Sequence, residues 1–461
     1  MSFSEMRPHA HSAHSSRSLL RMSTQTPLGS PIQRWLNRAP DWLFVVYAGL
    51  VAFATYFCMY AFRKPVSAAT FAGEEWGGLD YKILLMIAQI LGYTLSKFLG
   101  IKVVSEMTPG KRAVVLFGLV GAAFLALVGF AAVPRPWNIP FLFLNGLPLG
   151  MVWGLVFSYL EGRRYTEVLG AILSASFIIA SGVVKSVGRW MLVDLGVSEY
   201  WMPAAVGAVF LLPLGLFVWL LNQTPPPSQK DIELRTERKP MSGHERRAFF
   251  SAFWPGLVLL IIVYILLTVY RDFRDTFMAE LWVGLGYGDT PEIFAQTETP
   301  IGLAVMVLMA LTIIIKNNRI ALQVYHIIIL LGILLVGAST WLYVSDRMDG
   351  AVWLTLVGLG LYMGYVPYNS ILFDRLIAAF KRQGNAGYLI YVADSFGYLG
   401  SVGIMLYRNL GQGELSWIRF FINISWVLFA LGLVGIVGSM AYFWLKKAPK
   451  TQAPADVPLP E

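Results

Sequence analysis

Apolar residues in this chain come in long blocks rather than in the stripes of a soluble helix or the alternation of a half-buried strand. Twelve blocks approach or exceed the roughly 20 residues needed to cross a bilayer core as a helix. In the first half they run Trp42–Phe71, Tyr81–Val104, Arg112–Val133, Ile139–Leu160, Thr166–Val193 and Tyr200–Leu221. In the second half they run Phe253–Val283, Thr299–Ile315, Ile320–Val344, Ala351–Phe380, Ala386–Tyr407 and Trp417–Leu445. A backbone in lipid must satisfy its own polar groups, so each block predicts a transmembrane helix. The short alternating strands of a β-barrel are not visible.

A polar stretch from Asn222 to about Arg247, with Pro225, Pro226 and Pro227, separates the sixth block from the seventh. The chain therefore divides into a cytoplasmic tail (1–40), a six-helix half (41–222), a linker (223–248), a second six-helix half (249–446) and a second tail (447–461). Faint matches between the halves suggest duplication. Phe62-Arg63-Lys64 resembles Phe273-Arg274-Asp275, and Ser176-Phe177 resembles Ser395-Phe396. The fold class is an all-α polytopic membrane protein, twelve helices in two pseudo-symmetric halves, with a site expected between them.

Composition agrees: 56% of residues are hydrophobic and 14% charged, where a soluble domain carries about a quarter charged. The net charge of +9 would suggest nucleic acid in a soluble protein. Here the basic residues sort by connection instead. Lys102, Lys111 and Arg112, Arg163 and Arg164, Lys230 through Arg247, Lys316 and Arg319, and Lys381 and Arg382 occupy every second loop. The alternate loops carry Glu74, Glu75, Asp289, Glu292, Asp346 and Asp349. This places both termini in the cytoplasm, as expected for a plasma or bacterial inner membrane protein. The Ser-, His- and Arg-rich tail before Trp42 has no signal-peptide pattern and reads as disordered. Its His9, His11 and His14 have nothing to fix a metal geometry. The lone Cys58 excludes an internal disulfide.

Candidate chemistry lies in the charges inside the blocks, because an intramembrane charge faces a cavity or a partner. These are Arg63, Lys64, Lys97, Lys185, Arg271, Asp272, Arg274, Asp275 and Asp394. At 1.5 Å per residue Arg63 lies about 30 Å from Trp42, which leaves a snorkelling anchor or a cavity residue open. In the seventh span Arg271 shares a helix face with Asp275 and with Arg274, so Asp275 is expected to neutralise one arginine and leave the other free. Two arginines from opposite halves could clamp an oxyanion bidentately. Lys185 could join them or anchor an outer end. Tyr60, Tyr270 and Tyr365 could add hydroxyl contacts. Asp394 is either a structural ion pair or, with Asp272 and Asp275, a proton-coupling group.

Tyr60-Ala61-Phe62-Arg63-Lys64 resembles the first-helix motif of the organophosphate:phosphate antiporters of the major facilitator superfamily, the glycerol-3-phosphate and hexose-phosphate carriers. Tyr93-Thr94-Leu95-Ser96-Lys97-Phe98 resembles their second helix, and Gly146 through Trp153 their glycine-rich fourth. The resemblance implies that a seventh-span arginine, Arg271 or Arg274, is a second phosphate-binding residue. The chain departs from the family in offering Lys185 where a fifth-helix histidine is expected, and Ser105 through Arg112 is a degenerate form of the superfamily loop. The expectation is a monomeric secondary transporter of a small organic anion, such as a phosphorylated metabolite exchanged for phosphate. Rival readings are a proton-coupled symporter of a sugar, zwitterion or drug, and a transport-inactive sensor. No nucleotide-binding or nucleophilic motif appears, so no enzyme activity, cofactor or nucleic-acid partner is expected.

Overall fold

The computed structural model describes residues 30–446 except 106, 162, 164, 228–230, 232–242, 313 and 381–385. The histidines of the first tail, most of the linker, Lys381, Arg382 and the residues after Lys446 lie outside the described residues. Among the described residues, twelve long helical segments follow one another as the apolar blocks predict, and eleven are long and apolar enough to cross a membrane. The remaining one, Ala386–Gly411, is the eleventh in order and carries Asp394 and Arg408. The protein is an integral, multi-pass helical membrane protein of two six-helix halves.

The first, fourth and eighth spans depart from their predicted outlines, and the seventh and tenth are interrupted after Thr276 and Ser370. The first helix ends at Tyr60, and the chain continues as a turn and a 3-10 turn over Pro65–Ala68. Pro65 lacks an N–H and its ring blocks the helix behind it. The fourth span is broken into Ile139–Leu149 and Val152–Phe157, just after Pro148. The eighth helix begins at Ile293, six residues before the expected Thr299, and so takes in Glu298. A short helix, Pro31–Arg38, precedes the first span. It is closed by a capping box in which Ser30 and Gln33 satisfy each other's backbone N–H groups.

Glycine lets backbones meet where a side chain could not. A Cβ on Gly92 would overlap the carbonyl of Phe143, and one on Gly146 the carbonyl of Gln89, so the second and fourth spans touch backbone to backbone. Between the halves, the fifth span packs on the eighth and the second on the eleventh. Polar contacts seal these seams on one side of the molecule. Lys82 pairs with Glu280 at 2.6 Å, the Asp80 N–H donates to Asn409 Oδ1 at 2.7 Å, and Arg189 Nε donates to the Gly288 carbonyl at 2.8 Å. All six residues lie in or near the helix ends that border the connections poor in lysine and arginine. The halves are closed there, and a central cavity runs toward the opposite, basic side.

Candidate functional site

The N-terminal wall of the cavity is built around the break in the first span. Ending a helix leaves carbonyls without partners, and two buried amides supply them. Gln89 Nε2 donates to the Arg63 carbonyl at 3.2 Å and to Asn145 Oδ1 at 2.8 Å. Asn145 Nδ2 donates to the Phe62 carbonyl at 2.9 Å and the Ala123 carbonyl at 3.0 Å. The first four spans are thereby tied to the segment that carries Arg63. A satisfied buried network of this kind fixes one geometry. Arg63 projects into the cavity with its guanidinium carbon 3.8 Å above the ring of Tyr93. Its side chain makes no hydrogen bond or ion pair among the described residues, and its Nε is buried without a partner. The residue as a whole is 8% exposed.

The C-terminal wall is the last turn of the seventh span, Gly243–Thr276. Arg271 also lines the cavity, its guanidinium 4.2 Å from the centroid of Tyr365. Unlike Arg63 it is paired, donating to Asp272 Oδ1 from Nε at 3.1 Å and from Nη2 at 2.6 Å. Ser401 Oγ donates to the other oxygen of Asp272 at 2.7 Å. Asp275 neutralises neither arginine, in contrast to the expectation from spacing. It reaches across to the other half, where Lys64 and Lys185 both pair with it and Ser181 Oγ donates to it at 2.6 Å. Arg274 turns away from the cavity and pairs at 2.7 Å with Glu298, both fully buried. Its Nη2 also donates to the Leu354 carbonyl at 3.1 Å.

One cavity of about 300 Å3 thus brings together Arg63, Arg271, Lys97, Tyr60, Tyr365, Asp272, Asp275 and Asp394. Three of the other residues singled out from sequence are not in its lining. They are Arg274, Lys185 (fully buried against Asp275) and Tyr270, which shares a 2.6 Å hydrogen bond with Ser425. Asp394 has no ion pair among the described residues. It accepts a hydrogen bond from the Tyr264 hydroxyl, and the structural ion pair expected for it is absent there. Toward the basic side the lining reaches Trp153, Glu161 and Asp374.

Several partners escaped sequence reading. Lys82 and Glu280 obey the same rule of charge within an apolar block. Glu298 sat one residue outside the predicted eighth span. Tyr93 stood in the second-helix motif without being given a role, and Tyr264, Tyr398 and Ser401 carry no signal that separates them from ordinary packing. Among the described residues no cluster of histidine, cysteine and carboxylates could hold a metal ion.

Comparisons with known proteins agree on the fold. No curated protein matches the sequence. A D-xylose-proton symporter superposes with a TM-score of 0.56 at 13% identity, covering 87% of this chain and 96% of its own. A nucleoside transporter, NupG, gives 0.54 at 13% identity, covering 87% of this chain and 100% of its own. A proton:xylose symporter of the major facilitator superfamily, bound to 6-bromo-6-deoxy-D-glucose, gives 0.55 at 14% identity over 88% of this chain and 96% of its own. At such identities the likeness speaks for architecture alone, which is the major facilitator fold. The profile of a family of unknown function, DUF5690, matches residues 65–446, and the chain belongs to that family.

Proposed function

We propose that the protein is a secondary transporter that moves a small organic anion across the membrane by alternating access. Arg63 is the anion-binding group. The observation that carries this reading is the state of its guanidinium: nearly buried, in a cavity wall, stacked on Tyr93, and without a counter-ion among the described residues. A guanidinium in that position costs a few kcal/mol unless water or a ligand solvates it. It also presents a planar fork of donors suited to phosphate or carboxylate. Beside it, the Lys64–Asp275–Lys185 cluster sets two ammonium groups against one carboxylate. This end of the cavity therefore favours negative charge.

The same imbalance suggests exchange. Closing the cavity around an unneutralised Arg63 would strip its solvation, whereas a bound anion removes the penalty. Empty return is then slow, and antiport of one anion for another, such as a phosphorylated metabolite for phosphate, is favoured. The cavity faces the basic connections, which the charge rule assigns to the cytoplasm, so the structure corresponds to an inward-facing state. The two halves would rock about the site, breaking Lys82–Glu280 and neighbouring contacts on the opposite face.

Proteoliposomes preloaded with phosphate and given labelled glucose 6-phosphate, glycerol 3-phosphate and small carboxylates test this. At least one anion should enter by exchange, and Arg63→Gln should abolish its entry. Uptake that survives Arg63→Gln unchanged rules out the assignment.

A further inference from the structure

Arg63 and Asp394, two charges of opposite sign in the cavity lining, have no counter-ion among the described residues. Asp394 is 8% exposed and has the Tyr264 hydroxyl as its partner among the described residues. Other charges nearby are paired with one another. Arg271 and Asp272 cancel each other, Ser401 fixes their geometry, and Asp275 is held by two lysines. What stays available is a cationic pole on the N-terminal wall and an anionic pole on the C-terminal wall.

The surroundings of Asp394 suit an organic cation. Tyr264 and Tyr365 stack with ring centroids 5.4 Å apart, and Tyr264 also touches Asn369. Tyr398, one helical turn from Asp394, meets Tyr93 edge-on at 5.8 Å. Tyr93 is the ring beneath Arg63. Tyr365 and Tyr398 line the cavity with Asp394, and a carboxylate beside aromatic rings binds ammonium groups by charge and by cation–π attraction together. Both poles line one cavity whose volume is at the lower end of the roughly 300–1,000 Å3 usual for small-molecule sites, and the Tyr93–Tyr398 contact connects their walls.

We propose that the transported species is a zwitterion, its anionic group held by Arg63 and its protonated amine by Asp394. This rests on the reading of Arg63 as the anion site and adds the second pole. A small anion without an amine would satisfy Arg63 but leave Asp394 facing it with like charge, which is how such a site would discriminate.

Matched pairs that differ by one amine separate the two claims. The full-length protein in nanodiscs is titrated with glucosamine 6-phosphate against glucose 6-phosphate, phosphoethanolamine against ethyl phosphate, and alanine against propionate. Binding is read by calorimetry. In at least one pair the amine-bearing member should bind about ten-fold tighter, the scale of one additional partly solvated charge contact. Asp394→Asn should remove that preference and keep binding of the simple anion. Asp394→Glu should restore the preference, and Arg63→Gln should weaken both members. The melting temperature of each empty variant shows whether it folds. Anions that bind as tightly as their amino counterparts, or a preference that persists in Asp394→Asn, overturn the zwitterion assignment while leaving the anion site standing. An Asp394→Asn variant that changes only the pH dependence of anion binding overturns it in favour of a proton site. Absence of binding by every member of all three pairs overturns both readings.

Discussion

Arg63 and Arg271 occupy the two walls of one cavity, come from corresponding spans of the two halves, and both stack on tyrosine. They differ in company. Arg271 has a carboxylate beside it in sequence, and that carboxylate is anchored in turn by Ser401. Arg63 has Lys64 beside it, and Asp275, the carboxylate that Lys64 pairs with, is shared with Lys185. A cation whose charge is already matched contributes shape and hydrogen bonds. A cation left unmatched contributes affinity for whatever anion arrives. The two walls therefore present like residues in different electrostatic company, although the repeat in the sequence aligns Arg63 with Arg274, which is buried against Glu298.

The largest effects should come from the unmatched side. Arg63→Gln is expected to lower anion exchange by about two orders of magnitude or more, as removal of a charged, partly desolvated contact does, with little change in melting temperature. Arg271→Gln should lower exchange less, by about ten-fold, and destabilise the protein because Asp272 is left unpaired. The double change Arg271→Gln with Asp272→Asn should recover that stability. Equal losses of transport in Arg63→Gln and Arg271→Gln would erase the contrast between the walls.

Next come the paired charges, read by thermal unfolding in detergent. Asp275→Asn leaves two buried ammonium groups facing each other and should cost about 3–5 kcal/mol, the range for breaking a buried ion pair. Lys64→Met should cost less, since Lys185 still neutralises Asp275. The Arg274–Glu298 pair gives a cleaner test. Either single change, Arg274→Met or Glu298→Leu, should be strongly destabilising, whereas the double change should approach the parent because both desolvation costs disappear together. A double variant as unstable as the singles would show that the pair does more than balance charge.

The smallest expected effect lies at the seam. Lys82→Gln with Glu280→Gln removes one buried ion pair that joins the halves, while Asp80–Asn409 and Arg189–Gly288 remain. Stability should shift by about 1–2 kcal/mol. A cysteine placed near Ser67, whose carbonyl accepts from Lys82 at 3.2 Å, should label a few-fold faster from the sealed side. Unchanged labelling would mean that this pair does not hold the halves together.

Much of the site was legible from the chain because of a single physical rule. Charge is expensive in lipid, so nine charged residues inside apolar blocks marked the region worth attention, and most of them line or border one cavity. The predicted first span ran through Pro65 to Phe71, so the break after Tyr60 that places Arg63 in the cavity was not read from the sequence. Spacing along one helix failed where it was asked to choose partners. Arg271, Arg274 and Asp275 lie within one turn, and geometry on the isolated helix favoured an arginine for Asp275. The partners actually taken are Asp272, Glu298 and two lysines from the other half. Glu298 and Lys185 are distant in sequence, and nothing local ties either to the seventh span.

The sequence by itself determined that this protein spans the membrane with two groups of helices, which connections share a side, and where charge must be tolerated at depth. Those features follow from transfer energies that act residue by residue and need no knowledge of neighbours. Only the tertiary structure decided which charges cancel and which remain open to a ligand. Pairing depends on distances of a few ångströms between helices far apart in the chain, and the Coulomb term that selects partners falls off on that same scale.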